Sequence, residues 1–440
     1  MGPLDVAVVG TGTVGSATAL FLARQGHRVT LYEKVADPQT AGAGIMLQPS
    51  GMAVLRMLGL EQDVVPRGDR IDRLWVQTAS GRKVMELEYA QLEPSLFGVG
   101  LHRGVLFDVL YRAACREPGV TVRTGLDVED LHTARDGRQS VIERGTRKRH
   151  GLHDLVVVAN GARSSLRDDT SFVKSVEPYP WGALWAIVPD LDNRFTGRLF
   201  QVVRGTRRLI GLLPTGHGPV ERSRPSAAGP SSWSEAEDAP RRSDHGNGGP
   251  RQVSFFFSLR ADQLDAFHAG DFEGWKAGVL KDVPESAPVL DQLTSHDSLL
   301  FSSYHDVVMW PWNTERVVYL GDAAHAMSPQ LGQGCNLALP DAWYLAEAMR
   351  GAESVPDALF RYSRNRRWHL TWYQFITRWL TPFFQSDLAW LSPLRDYGMA
   401  WSVKVPWVRK QMVSAMCGVS RGPFMPLLKL PSLDSARGER

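Results

Sequence analysis

The sequence predicts an α/β fold in which a parallel, doubly wound unit is interleaved with a second β-sheet and followed by C-terminal helices. Near the N-terminus, a short apolar strand from Val6 to Val9 leads into a glycine-rich turn and an apolar helix. Residues 70–77 and 82–88 alternate apolar and polar side chains with the two-residue period of a strand. After residue 350, aromatic residues recur with helical spacing, which indicates helices in the last part of the chain.

The composition excludes several classes of protein. The 440-residue chain is 43% hydrophobic, and its 50 Lys and Arg nearly balance its 47 Asp and Glu, so no net field favours nucleic acid. Cys115, Cys335 and Cys417 lie far apart without a metal-binding spacing, which predicts a reduced, cytoplasmic setting and no metal site. The N-terminal residues predict no signal peptide, and no run of about 18 apolar residues predicts a membrane-spanning helix.

The N-terminal turn has the pattern G-x-G-x-x-G, formed by Gly10, Gly12 and Gly15. It follows a strand, opens a helix and lies within a βαβ unit, which is the context of a Rossmann-like dinucleotide site. The first glycine permits the tight turn, the second admits a pyrophosphate, and the third lets the helix pack on the strand. The alternative is a glycine-rich turn that binds nothing.

The second strand of this unit, Arg28 to Tyr32, ends at an acidic residue, Glu33. An acid about 20 residues after the glycines is typical of a group that accepts hydrogen bonds from an adenosine ribose. Val14 in the turn and Lys34 beside the acid are predicted to contact the same ligand.

A second strand-loop-helix, residues 317–350, carries the other predicted part of the site. An apolar strand ends at Gly321 and Asp322, and the loop that follows contains Pro329, Gly332 and Gly334 before an Ala- and Leu-rich helix. The N-terminus of such a helix favours negative charge, and glycines let a flat ligand approach the backbone closely. The alternative is an ordinary strand-loop-helix.

Two further segments are candidates for ligand contact. Residues 41–51 form a small-residue loop with three glycines, predicted to lead into a helix over Met52–Leu58. Arg103 precedes another helix, where its forked donors suit a phosphate, although an arginine in this position is more often a solvated charge.

The middle of the chain predicts mainly β-structure. Residues 120–158 indicate a small antiparallel excursion, and Trp181, Ala183, Trp185 and Ile187 share one face of a later strand, while Phe255 and Phe257 share a face of another. Aromatic residues on a sheet face are core by default, and the alternative is that they face a substrate. Residues 219–250, rich in Ser, Pro, Gly and charge, predict a disordered insert.

The C-terminal region carries an aromatic stripe. Trp368, Trp372, Phe375 and Trp379 recur at i, i+4, i+7 and i+11, which places them on one face of a helix. The simpler interpretation is a helix docked on the core through this stripe. The alternative is contact with a partner or a membrane surface, because basic and aromatic amphipathic helices can lie on bilayers.

Taken together, the motifs resemble the class A flavoprotein monooxygenases, the para-hydroxybenzoate-hydroxylase-like enzymes that bind FAD. The glycine turn with Glu33, the stretch Asn160-Gly161…Arg167 and the Gly321-Asp322 motif occur in the order and spacing of that family, over roughly residues 4–350. The family usually has Asp-Gly where this chain has Asn160-Gly161, a change that keeps the size and loses the charge.

The resemblance implies a role for each predicted site residue. Gly10, Gly12, Gly15 and Glu33 would hold the ADP half of FAD, and Arg103 would contact its flavin side. Asp322 would bind the ribityl or pyrophosphate region. Gly332 and Gly334 would present amides to the isoalloxazine, beside which Pro329 would lie.

The resemblance also implies a division of the chain. Residues 1–70, 98–170 and 315–350 would form a Rossmann-like FAD-binding domain. Residues 71–97 and 171–314 would form the substrate-binding β-sheet domain, which includes the 219–250 insert. Residues 351–440 would form a C-terminal helical region.

The implied activity is that of a monooxygenase. NAD(P)H would reduce FAD, dioxygen would add, and a flavin hydroperoxide would hydroxylate or epoxidise an electron-rich aromatic or lipophilic small molecule. The cofactor carries the difficult step, and no catalytic side chain is assigned; His325 in the second motif is predicted to serve packing.

Two other interpretations remain open. One is a non-catalytic flavoprotein that shields a reactive intermediate. The other is a flavin-dependent halogenase, although Trp181 and Trp185 lack the spacing of the halogenase W-x-W-x-I-P motif.

Overall fold

The computed structural model describes residues 1–39, 43–167, 172–219 and 249–431. Of the predicted disordered insert, residues 220–248 lie outside this part of the chain, as do the first two residues of the predicted 41–51 loop.

Seventeen strands are present in the described residues. They are β1 (Asp5–Val9), β2 (Arg28–Tyr32), β3 (Gly44–Leu47), β4 (Asp69–Thr78), β5 (Lys83–Glu88), β6 (Gly98–His102), β7 (Val120–Arg123), β8 (Val128–Thr133), β9 (Gln139–Glu143), β10 (Arg149–His153), β11 (Leu155–Val158), β12 (Val173–Pro189), β13 (Gly197–Arg204), β14 (Arg208–His217), β15 (Arg251–Arg260), β16 (Leu300–Met309) and β17 (Val317–Tyr319).

The α-helices of the same residues are α1 (Thr13–Arg24), α2 (Pro49–Met57), α3 (Glu61–Val64), α4 (Arg103–Arg116), α5 (Leu264–Ala269), α6 (Phe272–Asp282), α7 (Ala287–Leu290), α8 (Asp322–His325), α9 (Gly334–Arg350), α10 (Val355–Leu380), α11 (Leu391–Pro393), α12 (Ala400–Ser402) and α13 (Pro406–Met416). A π-helical turn, Leu394–Met399, joins α11 to α12.

The first sheet is parallel throughout, with the strand order β17-β11-β1-β2-β7. Its central strands, β1 after Asp5 and all of β11, are apolar and buried, as expected where helices cover both faces of a sheet. Helix α9 packs against α1, α2 and α10. The carboxyl ends of β1 and β17 therefore bring the glycine turn and the Gly321-Asp322 motif to the same edge of the sheet.

The second sheet has nine strands in the order β16-β12-β15-β14-β13-β4-β6-β3, with β5 paired to β4. Its pairs are antiparallel except β4 with β13. A third, three-stranded antiparallel sheet is formed by β8, β9 and β10. The predicted fold class, a Rossmann-like α/β unit interleaved with a β-sheet domain and followed by helices, is confirmed.

Three local predictions were wrong. Part of the predicted 41–51 loop is strand β3, which pairs with β6 of the second sheet. Helix α2 begins at Pro49 rather than Met52, because proline is well suited to the first turn of a helix. The predicted antiparallel excursion over 120–158 is restricted to β8–β10, since β7 and β11 pair within the parallel sheet.

Of the aromatic stripe of α10, Trp372 is half-buried against the core, and the other three residues do not dock the helix on it. The core-facing side of α10 is formed by other residues, among them Tyr362, Leu370 and Tyr373, which are fully buried. Trp368, Phe375 and Trp379 are exposed. An i, i+4, i+7, i+11 spacing identifies one face of a helix but not which face meets the core, so the spacing alone favoured the wrong side.

Within the described residues, no helix is both long and apolar enough to cross a membrane.

Candidate functional site

A single cavity of about 970 Å³ runs from the edge of the parallel sheet to the second sheet and the C-terminal helices. Seven of the predicted cofactor residues line it: Gly12, Val14, Arg103, Asp322, Pro329, Gly332 and Gly334. The other four, Gly10, Gly15, Glu33 and Lys34, do not line it. Gly10 and Gly15 shape the turn beside the cavity, and Lys34 is exposed.

The protein itself requires glycine at two of the three positions of the N-terminal turn, Gly10 and Gly15, and not at Gly12. Gly10 has φ +105°, and a Cβ there would lie 2.6 Å from the Ala159 carbonyl oxygen. A Cβ on Gly15 would lie 1.9 Å from the Gly10 oxygen. Gly12 has an ordinary backbone, φ −59° and ψ −178°, and a Cβ there would meet nothing within 4 Å. Neither backbone conformation nor packing requires glycine at position 12, so close approach of a ligand is the remaining reason for it.

Glu33 is held over the glycine turn. Its carboxylate accepts hydrogen bonds from the Thr11 backbone N–H at 3.0 Å and from the Thr11 hydroxyl at 2.6 Å, and its other oxygen accepts from the Val35 N–H at 3.0 Å. Thr11 was not predicted as a site residue. Its only signal in the sequence is its place between the first two glycines.

Asp322 begins α8, directly after Gly321, which has φ +56°. The side chain of Asp322 is exposed to the cavity and does not cap the helix. The motif is fixed from behind: the Gly321 N–H donates to Asp341 at 2.9 Å. The Asp322 carboxylate is therefore available to a ligand.

The loop before α9 combines a turn with an open helix start. Pro329–Leu331 forms a 3₁₀ turn that ends at Gly332 with φ +60°, and Gly334 is the first residue of α9 with open space beside its Cα. Gln333 fastens the loop by donating to the Ala415 and Met416 carbonyls at 3.2 and 2.9 Å. Helix α9 has 17 residues, and its N-terminus lies at the cavity. The first backbone N–H groups of a helix have no partner within it, so this end of α9 favours a negatively charged ligand.

The Asn160-Gly161…Arg167 stretch supports α8 at one end and carries an unpartnered polar atom at the other. Arg167 is buried and donates to the Ala323 carbonyl at 2.9 Å and the Ala162 carbonyl at 2.6 Å, so it supports α8 from below. The side-chain oxygen of Asn160 is buried without a hydrogen-bond partner in the protein. A buried polar atom of this kind normally has a partner, and a bound ligand or water would supply one.

His325 lies beneath the cavity rather than in it. Its Nε2 lies 2.6 Å from Asp341, whose other oxygen accepts from Arg366 at 2.8 Å, and all three side chains are buried. Burial alone would raise the pKa of Asp341, but the charges of His325 and Arg366 and the hydrogen bonds to the carboxylate lower it to about 2. This arrangement agrees with a packing role for His325.

The far half of the cavity is aromatic. Trp185 and Phe256, paired across β12 and β15, lie with ring centroids 5.2 Å apart, and the Trp185 Nε1–H donates to the Tyr304 hydroxyl at 3.2 Å. Burial raises the pKa of Tyr304 to about 12, so its hydroxyl remains protonated at neutral pH. The three side chains line the cavity.

Phe256 was not predicted as a cavity residue, whereas its neighbours Phe255 and Phe257 were correctly predicted to share one face of the strand. Phe255 and Phe257 are buried on the opposite face of β15, where both rings contact Trp275. In a run of three phenylalanines on one strand, the middle ring must face the other side of the sheet. That rule was the available signal for Phe256.

The α10 stripe reaches the same cavity. Trp372, Phe375 and Trp379 line it together with Met399 and Met412 from the helices that follow. The aromatic stripe thus forms part of the cavity wall near its mouth.

Residues 3–229 and 284–372 match the sequence profile of the family described as FAD binding domain. The chain belongs to this family of FAD-dependent monooxygenases. It is an oxidoreductase of the para-hydroxybenzoate-hydroxylase-like class, with FAD as cofactor and NAD(P)H as the co-substrate typical of the class.

Several relatives are similar to the monooxygenase along most of their length. The aurachin C monooxygenase/isomerase of Stigmatella aurantiaca is 28% identical over 368 residues, covering 82% of this chain and 85% of the relative. Kynurenine 3-monooxygenase of Salinispora arenicola is 30% identical over 389 residues, covering 83% and 76%. The 2-heptyl-3-hydroxy-4(1H)-quinolone synthase of Mycobacteroides abscessus is 26% identical over 367 residues, covering 82% and 85%.

Solved structures share the fold of the monooxygenase. PqsL of Pseudomonas aeruginosa, a probable FAD-dependent monooxygenase, superposes with a TM-score of 0.72 at 21% identity, covering 90% of this chain and 99% of that one. A variant of HpxO from Klebsiella pneumoniae, complexed with FAD, gives a TM-score of 0.74 at 18% identity, covering 95% and 100%.

Proposed function

We propose that the monooxygenase uses NAD(P)H and dioxygen to oxygenate a neutral, electron-rich aromatic small molecule in the far half of the cavity. The observation that carries the proposal is the continuity of one cavity from the glycine turn to the rings of Trp185 and Phe256. Bound FAD would supply the redox chemistry and the activation of dioxygen. The protein's own residues bind, orient and exclude water.

The proposal assigns the predicted cofactor residues as a set. Gly10, Gly12, Val14, Gly15, Glu33 and Lys34 would surround the ADP half of FAD, and Arg103, Asp322, Pro329, Gly332 and Gly334 the flavin half. The open space beside Gly12, the exposed carboxylate of Asp322 and the unpartnered oxygen of Asn160 support this assignment. The division of the chain into 1–70, 98–170 and 315–350 against 71–97 and 171–314 remains part of the proposal.

The lining of the far half supports a neutral substrate. Among the described residues that line the cavity, Arg73, Arg103 and Asp322 are the charged ones, and Arg73 is paired with Glu86 at 3.1 Å. No described histidine, lysine or glutamate lines it. Of the two lining arginines, Arg73 is paired with Glu86 and Arg103 is assigned to the flavin half, whereas an uncharged ring would pack on Trp185 and Phe256. The names of two relatives contain a 4(1H)-quinolone, and an uncharged quinolone fits this lining.

A purified preparation tests the proposed function. We expect a yellow protein that releases FAD on denaturation and whose NAD(P)H oxidation is stimulated by neutral phenols and 4-quinolones. Matched compounds bearing a carboxylate should stimulate it less. Oxygenated product is identified by mass spectrometry with labelled dioxygen. A yellow protein with no turnover on the whole panel would instead support the shielding flavoprotein, and chlorinated product in the presence of halide would support the halogenase.

Glu33→Ala should weaken FAD binding by about 1–3 kcal/mol, because charge-assisted hydrogen bonds to the ribose would be lost. The measurement is fluorescence titration of apo-protein with FAD. Thr11→Val is the companion variant: it removes the hydroxyl that donates to Glu33 at 2.6 Å and keeps the carboxylate. It should have a smaller effect than Glu33→Ala. Unchanged affinity in Glu33→Ala would remove Glu33 from the site.

Asp322→Ala should lower FAD affinity more than Asp322→Asn, because asparagine retains one acceptor oxygen for the ligand hydroxyls. Since the side chain does not cap α8, the melting temperature of the apo-protein should change little in either variant. Affinity is measured by titration and stability by calorimetry on the same apo preparations. A destabilised apo-protein with intact FAD affinity would contradict the assignment.

The predicted cytoplasmic location, and the predicted peripheral contact of the C-terminal helices with a membrane, belong to the proposal as well. The residues that bear on the membrane contact are described next.

A further inference from the structure

The exposed aromatic side chains of the described residues are confined to one part of the chain. Every strongly exposed aromatic side chain there lies between residues 360 and 424: Phe360, Trp368, Phe375, Trp379, Trp390, Tyr397, Trp401, Trp407 and Phe424. The strongly exposed apolar residues elsewhere are aliphatic and scattered. Single exposed apolar residues are ordinary, but a concentration of tryptophans indicates a surface that meets something other than water.

Two helical segments carry an exposed apolar stripe with the same spacing. The first is the α10 stripe. The second is formed by Trp390, Leu394, Tyr397 and Trp401, again at i, i+4, i+7 and i+11, on the helical run from α11 to α12. All four side chains of the second stripe are more than half exposed, from 54% for Leu394 to 69% for Trp401. A stripe of this kind normally faces a core, and this one faces outwards.

The first stripe reaches the cavity directly, and the helical run that carries the second stripe lines the cavity through Met399 and Ser402. Phe375 and Trp379 of the first stripe line the cavity and are themselves exposed. Ser402, next to Trp401, and Val408, next to Trp407, line the same cavity. We name this surface the aromatic rim, defined by Trp368, Phe375, Trp379, Trp390, Leu394, Tyr397, Trp401 and Trp407.

The rim is positively charged. Residues 397–431 contain five cations, Lys404, Arg409, Lys410, Arg421 and Lys429, and no acidic residue. Lys404 and Lys410 are exposed.

The acids that flank this stretch already have cationic partners. Asp387 pairs with Arg207 and Arg260, and Asp396 pairs with Arg395. The segment 397–431 is therefore net positive, and the acids that flank it in sequence are already paired.

We propose that the aromatic rim docks the monooxygenase on a bilayer surface that contains anionic lipids, so that a lipophilic substrate enters the cavity from the apolar phase. Tryptophan and tyrosine are the side chains that settle at the membrane interface, and lysines beside them attract anionic headgroups. The entry route rests on the proposed function, whereas the docking itself does not.

A second copy of the chain fits this surface less well. In a two-fold dimer through the rim, the same cations would face one another without an acid on either side to neutralise them. The charge therefore favours anionic headgroups over self-association, although the aromatic composition would suit either.

The experiment measures partition of the FAD-loaded protein between buffer and vesicles by flotation. We expect strong binding to vesicles of phosphatidylcholine with phosphatidylglycerol and weak binding to phosphatidylcholine alone. Trp390→Ser/Trp401→Ser should reduce the partition coefficient about tenfold or more, because two exposed indoles lose their apolar contact. Lys404→Gln/Lys410→Gln should reduce binding to the anionic vesicles by about tenfold or more and leave the weak binding to neutral vesicles unchanged.

The matched control is Leu191→Ser/Leu300→Ser, which removes two exposed apolar side chains far from the rim in sequence. It should leave partition unchanged. All variants should retain the FAD spectrum of the parent protein, which shows that they are folded.

The outcomes separate the two proposals. A yellow protein that oxygenates substrate in buffer but does not bind either kind of vesicle would overturn the docking and leave the proposed function intact. A protein that binds vesicles through the rim but takes up no FAD would do the reverse. Concentration-dependent dimers that disappear in Trp390→Ser/Trp401→Ser, without vesicle binding, would assign the rim to a second copy and overturn the proposal.

Discussion

We expect Arg366→Met to lower the free energy of unfolding of the apo-protein by about 3–5 kcal/mol, the scale of removing one partner from a buried ion pair. Arg366 is fully buried and donates to Asp341 at 2.8 Å and to the Leu337 carbonyl at 3.0 Å, and it lies 2.7 Å from His369. Methionine fills much of the space but leaves the Asp341 carboxylate without its guanidinium. Denaturant unfolding of apo-protein is the measurement.

Arg364→Met is the matched control for this variant. Arg364 lies on the same helix two residues earlier and is exposed. Its replacement should change stability by less than about 0.5 kcal/mol. If both substitutions change the free energy of unfolding by the same small amount, the buried ion pair does not stabilise the fold as its geometry indicates.

The same pair predicts a pH dependence. The pKa of Asp341 in the folded protein is lowered to about 2 from an ordinary value of 3.8. A carboxyl group whose pKa is lower in the folded than in the unfolded protein contributes its full stabilisation at pH values above the unfolded-state pKa. For Asp341 this contribution is lost as the pH falls from about 3.8 through about 2. In Arg366→Met the pKa of Asp341 should rise, so acid unfolding should begin at a higher pH than in the parent protein.

We expect Gly12→Val to leave the fold intact and to lower FAD affinity by about a hundredfold or more, because the side chain would occupy the space through which a pyrophosphate would approach the turn. A Cβ on Gly12 meets no protein atom within 4 Å, and the backbone there is accessible to any residue. Gly15→Val should instead prevent folding, since its Cβ would lie 1.9 Å from the Gly10 oxygen. FAD titration and circular dichroism of the two variants distinguish a ligand-bound glycine from a packing glycine.

Two results would contradict this assignment. A Gly12→Val protein that binds FAD as tightly as the parent would place the pyrophosphate elsewhere. A Gly12→Val protein that fails to fold would show that position 12 is required by the chain and not by the ligand.

The cofactor half of the cavity was largely predictable from the sequence because its signals are local. Gly10, Gly12 and Gly15 stand within six residues, and Gly321 and Asp322 closely follow a strand; each motif can be recognised without knowing what lies next to it in space. The parallel sheet then brings the two motifs together at the ends of β1 and β17.

The substrate half was less predictable because its residues converge from distant elements. Trp185, Phe256 and Tyr304 come from three strands of the second sheet, and nothing in any one strand indicates which face meets a cavity. For Phe256 the alternation along β15 was sufficient once Phe255 and Phe257 were placed. For α10, by contrast, the helical period was correctly predicted from the spacing of its aromatic residues. The side of the helix that meets the core was predicted wrongly.

The strand order of the parallel sheet also bears on how the chain is synthesised. Strand β1 lies between β2 and β11, and Asp5 of β1 is joined by a hydrogen bond to Asp154, 149 residues later. At about 5–20 residues per second, the ribosome needs roughly 7–30 s to supply that neighbour. During this interval one edge of an apolar strand has no partner, and such edges promote aggregation. Until β11 emerges from the ribosome, β1 can therefore pair only with β2.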